Sequence, residues 1–214
     1  MNTRDNLRRI VRVTGEFFED QWFDRSRNIR TSGDTSLQAA GIAPEDFQDS
    51  EFYVPARPRH IRQALHDMPV QDVTGFSFVD LGSGKGRTLF VAAELPFQQI
   101  IGVEFSRRLH EQACANIRTF RPRTQGCSRI VSLHKNAKDF TFPESNMVLY
   151  LFNPFGSETM QHVLNNLQAS LNRHPSHVIV ILLWPRCGDQ FAAIDGMHLR
   201  RETRQYQIFE KHAF

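Results

Sequence analysis

The sequence predicts an α/β fold: a doubly wound, mostly parallel seven-stranded sheet carrying an N-terminal helical extension. Three observations predict it. From Phe76 onward, short runs of β-branched and aromatic residues alternate with stretches of helical periodicity. A glycine-rich turn, Asp80-Leu81-Gly82-Ser83-Gly84-Lys85-Gly86, joins the first such run to the helix that follows. Residues 178–184 form an unbroken apolar run of the length of a strand buried on both faces.

The strands are expected at residues 76–81, 99–104, 129–133, 147–152 and 177–183. Helices fall between most of them, at 86–94, 106–120 and 157–171, with Ser106 and Ser157 standing where an N-cap oxygen is useful. Two charged segments, 198–203 and 205–210, make a final hairpin of the kind an edge tolerates. Upstream, 6–23 reads as an amphipathic helix, with Phe17, Phe18, Trp22 and Phe23 as a packing stripe. Residues 58–67 read as a second helix entered by Pro58. The polar, turn-rich stretch 24–55 is too long for a simple linker and is expected to pack over the ligand edge of the sheet. The division is thus an extension, 1–56, on a domain, 57–214.

With 214 residues, the chain has the length of one domain with a buried core, and its 40% hydrophobic and 23% charged content is that of a globular protein. No apolar run approaches the ~18 residues of a membrane span. Acidic Asp5, Glu16, Glu19 and Asp20 are interspersed among Arg4, Arg8, Arg9 and Arg12, and the apolar core of a secretory signal is missing; a cytoplasmic location is the expectation. Cys114, Cys127 and Cys187 lie at wide, unpatterned spacings and read as reduced thiols. The nine histidines form no metal-binding motif, His174 and His177 reading as surface residues, and no metal is expected. The net charge of +3 rests chiefly on arginine, which suits phosphate or carboxylate partners but serves equally as a solvated surface.

The glycine turn carries the chemistry. Its spacing is G-x-G-x-G, one residue shorter than the dinucleotide fingerprint, and Asp80 precedes the first glycine. Lys85 lies between glycines, outside the phosphate-loop pattern. A carboxylate here suits a ligand that ends in an ammonium group and has no phosphate to cradle. Glu104 closes the second strand about 20 residues later, where a carboxylate can accept both hydroxyls of a ribose. The structural alternatives are a helix cap for Asp80 and an exposed strand end for Glu104.

On these residues, 76–183 resembles the class I S-adenosylmethionine-dependent methyltransferases. The resemblance implies that Gly82, Ser83, Gly84 and Gly86, with Asp80, hold the methionine end of S-adenosyl-L-methionine and that Glu104 holds its ribose. It also implies that Asn136-Ala137, where the family often has Asp-Ala, reads the adenine. Asn153-Pro154-Phe155, ending the fourth strand, is similar to the [Asp/Asn]-Pro-Pro-[Tyr/Phe] motif of methyltransferases that modify amino or amide nitrogens, with one proline fewer. That makes Asn153, Pro154 and Phe155 the candidate catalytic residues, against the reading in which Asn153 caps the next helix and Phe155 packs in the core. Tyr53-Val54-Pro55-Ala56, a helix ahead of the glycine turn, resembles the seven-strand lysine methyltransferases. Tyr53 would then close over the cofactor, or act as an interfacial aromatic. The resemblance implies a protein lysine as first acceptor and a nucleic-acid amino group as second. A cofactor-binding module without chemistry is the third alternative.

Overall fold

A computed structural model describes residues 18–43, 53–152, 155–185 and 188–213. Seven strands form one sheet: β1 (Ser77–Leu81), β2 (Gln99–Glu104), β3 (Ile130–His134), β4 (Met147–Leu151), β5 (Val178–Leu183), β6 (His198–Glu202) and β7 (Tyr206–Lys211). Their order is β3-β2-β1-β4-β5-β7-β6. The first five run parallel, and β7 inserts antiparallel between β5 and β6. Every residue of β1, β4 and β5 is buried, so those strands read as continuous apolar runs apart from Ser77, Asp80 and Tyr150. The edge strand β6 is exposed throughout, which explains its charge.

The helices cover both faces. On one, Phe78, Tyr150 and Ile181 pack with Ile61 and Leu65 of α2 (Pro58–His66) and with Leu89 and Phe90 of α3 (Arg87–Ala92). Phe23, of the helical residues 18–27 (α1), joins this cluster. On the other, Val79, Leu149 and Val180 meet Val163, Leu167 and Leu171 of α5 (Ser157–Arg173) and Phe191 of α6 (Gly188–Ala192). Each such aliphatic side chain contributes about 1.5–3 kcal/mol by leaving water. Between β2 and β3 runs α4 (Arg107–Thr119).

Several expectations shift. Ser106 does cap α4, accepting from the Leu109 N–H at 3.3 Å, but the N-cap of α5 is Gly156, and Ser157 is already helical. α6 has only five residues, too few to show a period. The aromatic stripe divides: Phe23 is buried, while Phe18 and Trp22, one turn apart on the other side of α1, are 69% and 57% exposed. Phe17 and the earlier part of that helix lie outside the described residues. His177 is not a surface residue. It bonds the buried Glu210 carboxylate at 2.8 Å, and His212 and Arg200 share that carboxylate. The His177, Glu210 and His212 donors lie within 4.8 Å of one another, but Arg200 Nε at 2.7 Å already offsets the charge, and we read an ion network there.

The extension is fastened by Arg87, the first residue of α3. Only 2% exposed, its guanidinium donates to Thr31 Oγ1 at 2.8 Å, Asp20 Oδ1 at 2.6 Å and Ser32 Oγ at 2.9 Å. Asp24 folds the same segment by accepting from the Thr31 and Ser32 N–H groups, both at 2.7 Å, and from the Thr31 hydroxyl at 2.6 Å. Removing one partner from such a network strands buried charge. Arg87→Ala is therefore expected to cost about 3–5 kcal/mol in urea unfolding. Arg87→Lys should restore little of it, because a single ammonium cannot reproduce the planar fork.

Candidate functional site

β1 ends in a turn where Gly82, Gly84 and Gly86 all have left-handed backbone, with φ of 82°, 54° and 88°. The Gly82 and Ser83 N–H groups both donate to Val103 O of β2, at 2.9 and 3.1 Å. At Gly84 the constraint is double, since a Cβ would lie 2.2 Å from the Tyr53 ring as well as forcing a strained φ. Gly102, opposite Asp80 on β2, gives the turn its room: a Cβ there would come within 2.6 Å of Ser83 Oγ. Ser83 Oγ is itself buried and has no partner among the described residues.

Two carboxylates lie beside this turn. Glu104, at the end of β2, accepts from the Gly84 N–H and the Ser106 N–H, both at 2.8 Å. Burial raises its pKa, against the pull of those backbone donors. Among the described residues, no backbone N–H donates to Asp80. Burial pushes its carboxyl up to about 8; the Thr88 hydroxyl opposes the shift, and the Glu104 charge adds to it.

The extension closes over the same turn. Asn116, buried in α4, donates to Lys85 O at 2.9 Å and to Arg30 O at 3.0 Å, and accepts from the Arg30 N–H at 2.8 Å. The Lys85 ammonium donates to Gly33 O at 2.8 Å and Ser32 O at 3.2 Å. Tyr53 pairs with Thr35 in an antiparallel bridge and donates its hydroxyl to Thr31 O at 2.8 Å, while its ring lies on Gly84. Farther along, Leu37, Ala40 and Ile42 pack with Phe105 and Leu109, and Ser106 Oγ donates to Ala40 O at 2.5 Å. Within the stretch 24–55, the described residues 24–43 and 53–55 pack beside the glycine turn, and Tyr53 bridges them to it.

The remaining predicted residues follow the same edge. Asn136 caps the short 3-10 helix Ala137–Asp139, its side-chain oxygen accepting from the Lys138 N–H at 3.1 Å, and Ala137 is buried. The Lys135 N–H donates to Glu104 O at 3.0 Å, which ties that turn to the end of β2. Phe155, past the end of β4, is partly buried and packs against the cluster on the α5 side of the sheet. Asn153 and Pro154 lie outside the described residues, as does Cys187.

Sequence reasoning missed Arg87, Asp24, Thr31 and Asn116, which join the extension to the turn. It also missed Trp184, which follows β5 at this edge with a left-handed φ of 51°. The available signal for Arg87 was its place beside Gly86 at the head of a buried helix.

No protein-family model matches the chain, and no curated protein matches it in sequence. Solved structures do match. The putative methyltransferase yhhF from Escherichia coli has TM-score 0.54 and 16% identity over 76% of this chain and 92% of that one. A predicted N6-adenine-specific DNA methylase from Listeria monocytogenes has TM-score 0.53 and 15% identity over 73% and 51%. TrmN from Thermus thermophilus has TM-score 0.52 and 18% identity over 74% and 49%. The chain shares its fold with solved methyltransferases. It spans about half the length of the last two.

The glycine turn fits the methionine end of S-adenosylmethionine: left-handed glycines remove side chains, Ser83 offers a buried hydroxyl, and two carboxylates stand beside it. Asp80 also makes a prediction without the ligand. Its folded pKa of about 8 exceeds the ordinary 3.8, so between those values the folded state binds more protons than the unfolded one. Stability should fall as pH rises from about 4 to about 8, Glu104 contributing with the same sign. Urea unfolding across that range should show the decline, flattened in Asp80→Asn; equal slopes in both proteins would contradict the assignment.

Proposed function

We propose that the chain is an S-adenosylmethionine-dependent methyltransferase whose acceptor is an amino nitrogen of nucleic acid. The observation that carries the cofactor is the glycine turn at the carboxyl end of β1, with the Glu104 carboxylate on the Gly84 N–H at 2.8 Å. In this reading Gly82, Ser83, Gly84, Gly86 and Asp80 hold the methionine end. Asp80 attracts the ammonium, which lowers its pKa and releases a proton on binding. Glu104 takes the ribose on lone pairs its backbone donors leave free, Asn136 and Ala137 border the adenine, and Tyr53 walls the turn. Bound there, S-adenosylmethionine supplies an electrophilic methyl group on a sulfonium.

Asn153 orients the acceptor. Its side-chain carbonyl accepts an N–H from the amino group and turns the nitrogen lone pair toward the methyl group, while Pro154 stiffens the turn and Phe155 supplies an apolar wall. The proton lost from nitrogen passes to water. Nucleic acid is preferred to lysine because one solved structure of this fold is a predicted N6-adenine-specific DNA methylase and because the chain carries a net charge of +3. Arg25 and Arg30 line a groove on the extension with Gln21, Asn28 and the buried Asp24. A lysine side chain is the second reading, supported by the position of Tyr53 on the turn.

Incubation with tritiated S-adenosylmethionine and cell extract separates the acceptors, since the label enters either nucleic acid or a protein band. Label in RNA or DNA is expected. Label confined to protein would move the assignment to lysine, and no label with no binding of S-adenosylhomocysteine would remove the enzyme. Asn153→Ala should lower kcat roughly a hundredfold through lost orientation, with S-adenosylhomocysteine affinity unchanged by calorimetry.

A further inference from the structure

α1 and the residues after it are fastened to the end of α4 and the loop that follows by a ladder of contacts. Arg123 lies over the Trp22 ring, 4.8 Å from its centroid, and the Arg121 N–H donates to Arg27 O at 2.9 Å. Asn28 Nδ2 donates to Thr119 O at 3.2 Å, and the Asn116 side chain bonds both the N–H and the C=O of Arg30. Residue numbers fall on one segment as they rise on the other, so the two run side by side in opposite directions. Asn116 also holds Lys85 O, so the ladder ends at the glycine turn.

Arginine is concentrated along this ladder. Arg25, Arg30, Arg118, Arg121 and Arg123 are all exposed, and none of the five is paired with a carboxylate among the described residues. The acids of the same segment are engaged elsewhere: Glu19 by Arg59 at 3.1 Å, Asp20 by Arg87 at 2.6 Å, and the buried Asp24 by the Thr31 and Ser32 N–H groups and the Thr31 hydroxyl. From Gln112 to Lys138 the sequence has no acid at all. Glu111 is two turns of α4 from Arg118, about 10 Å along the axis. Burial lowers the pKa of Arg27, Glu94 opposes the shift, and like charge on Arg62 and Arg123 adds to it. Self-repulsion of uncompensated charges destabilises the compact state, and an anion laid along the row relieves it.

Between Arg25 and Arg30 the surface sinks into a groove of about 500 Å³ that Gln21 and Asn28 also line. Amide groups offer donors that a phosphate oxygen accepts and an acyl chain does not. The planar guanidinium fork matches phosphate in the same way. Asp24, the one acid in that groove, is the carboxylate already taken up by Thr31 and Ser32.

We propose that this row, from Arg30 beside the glycine turn to Arg121 and Arg123 past the end of α4, seats the phosphodiester backbone of the nucleic-acid substrate. It rests on the nucleic-acid reading above. Such contacts carry no sequence information; they position the strand and supply the salt-dependent part of its affinity.

Fluorescence anisotropy of the full chain with labelled single-stranded RNA, from about 50 to about 200 mM salt, tests the row. Wild-type affinity should fall steeply and linearly on logarithmic axes. Arg25→Gln combined with Arg121→Gln should lower that slope by roughly 0.7 for each arginine removed. Arg173→Gln combined with Arg204→Gln removes the same charge from exposed positions on α5 and on the turn between β6 and β7, and should leave the slope unchanged. S-adenosylhomocysteine affinity and the urea midpoint should be the same in all three proteins. Equal slopes in the two double variants would overturn the row, whether both fall or neither does. So would a wild type that binds no RNA, or that binds only phosphatidylserine vesicles. Tritium transfer reads the broader function separately: label in nucleic acid with equal slopes removes the row alone, and a lowered slope without transfer leaves the row as a nucleic-acid surface and removes the activity.

Discussion

Arg87 is the constraint around which the site is organised. It comes one residue after the third glycine, so the turn that shapes the ligand edge also delivers a guanidinium into the interior. A buried charge must be paired. Its partners, Asp20, Thr31 and Ser32, all come from the segment ahead of the sheet domain. The described part of the extension is therefore a structural part of the glycine turn, and the acceptors that satisfy Arg87 bring Tyr53 and residues 35–42 beside that turn. Asn116 repeats the connection from α4, bonding the backbone of Arg30 and Lys85 together.

The electrostatics beside the turn are unequal in a way that suits a cationic ligand. Glu104 is held by two backbone N–H groups, which fix its orientation and offset part of the cost of burial. Asp80 has no such donor among the described residues, and burial drives its carboxyl up to about 8. A carboxyl held neutral by burial is one a cation can ionise. Ser83, with a buried hydroxyl that the described protein does not satisfy, completes a set of groups whose partners are best supplied by a ligand.

Much of this was legible in the sequence because it rests on local rules. The strand ends at Gln99 and Glu104 follow directly from the apolar run and its acidic stop, and Ser106 caps as its residue type implies. Gly82, Gly84 and Gly86 announce left-handed backbone. What escaped depends on contacts distant in the chain: Asp24 and Thr31 acquire meaning only when Arg87, more than fifty residues later, is buried against them. Trp184 escaped because a half-exposed aromatic after a buried strand has the same composition as a core residue. The split of Phe18 and Trp22 from Phe23 is a phase difference on one helix, visible only once the helix is docked.

The central claim is that the turn from Gly82 to Gly86 and the end of β2 form one cofactor site. A crystal structure of the full chain grown with S-adenosylhomocysteine tests it most directly. The amino-acid end of the ligand should lie on the Gly82–Gly84 backbone near Asp80, the ribose hydroxyls on Glu104 and the adenine beside Asn136 and Ala137. A ligand bound elsewhere on the sheet, or crystals that remain without it at saturating concentration, would contradict the account.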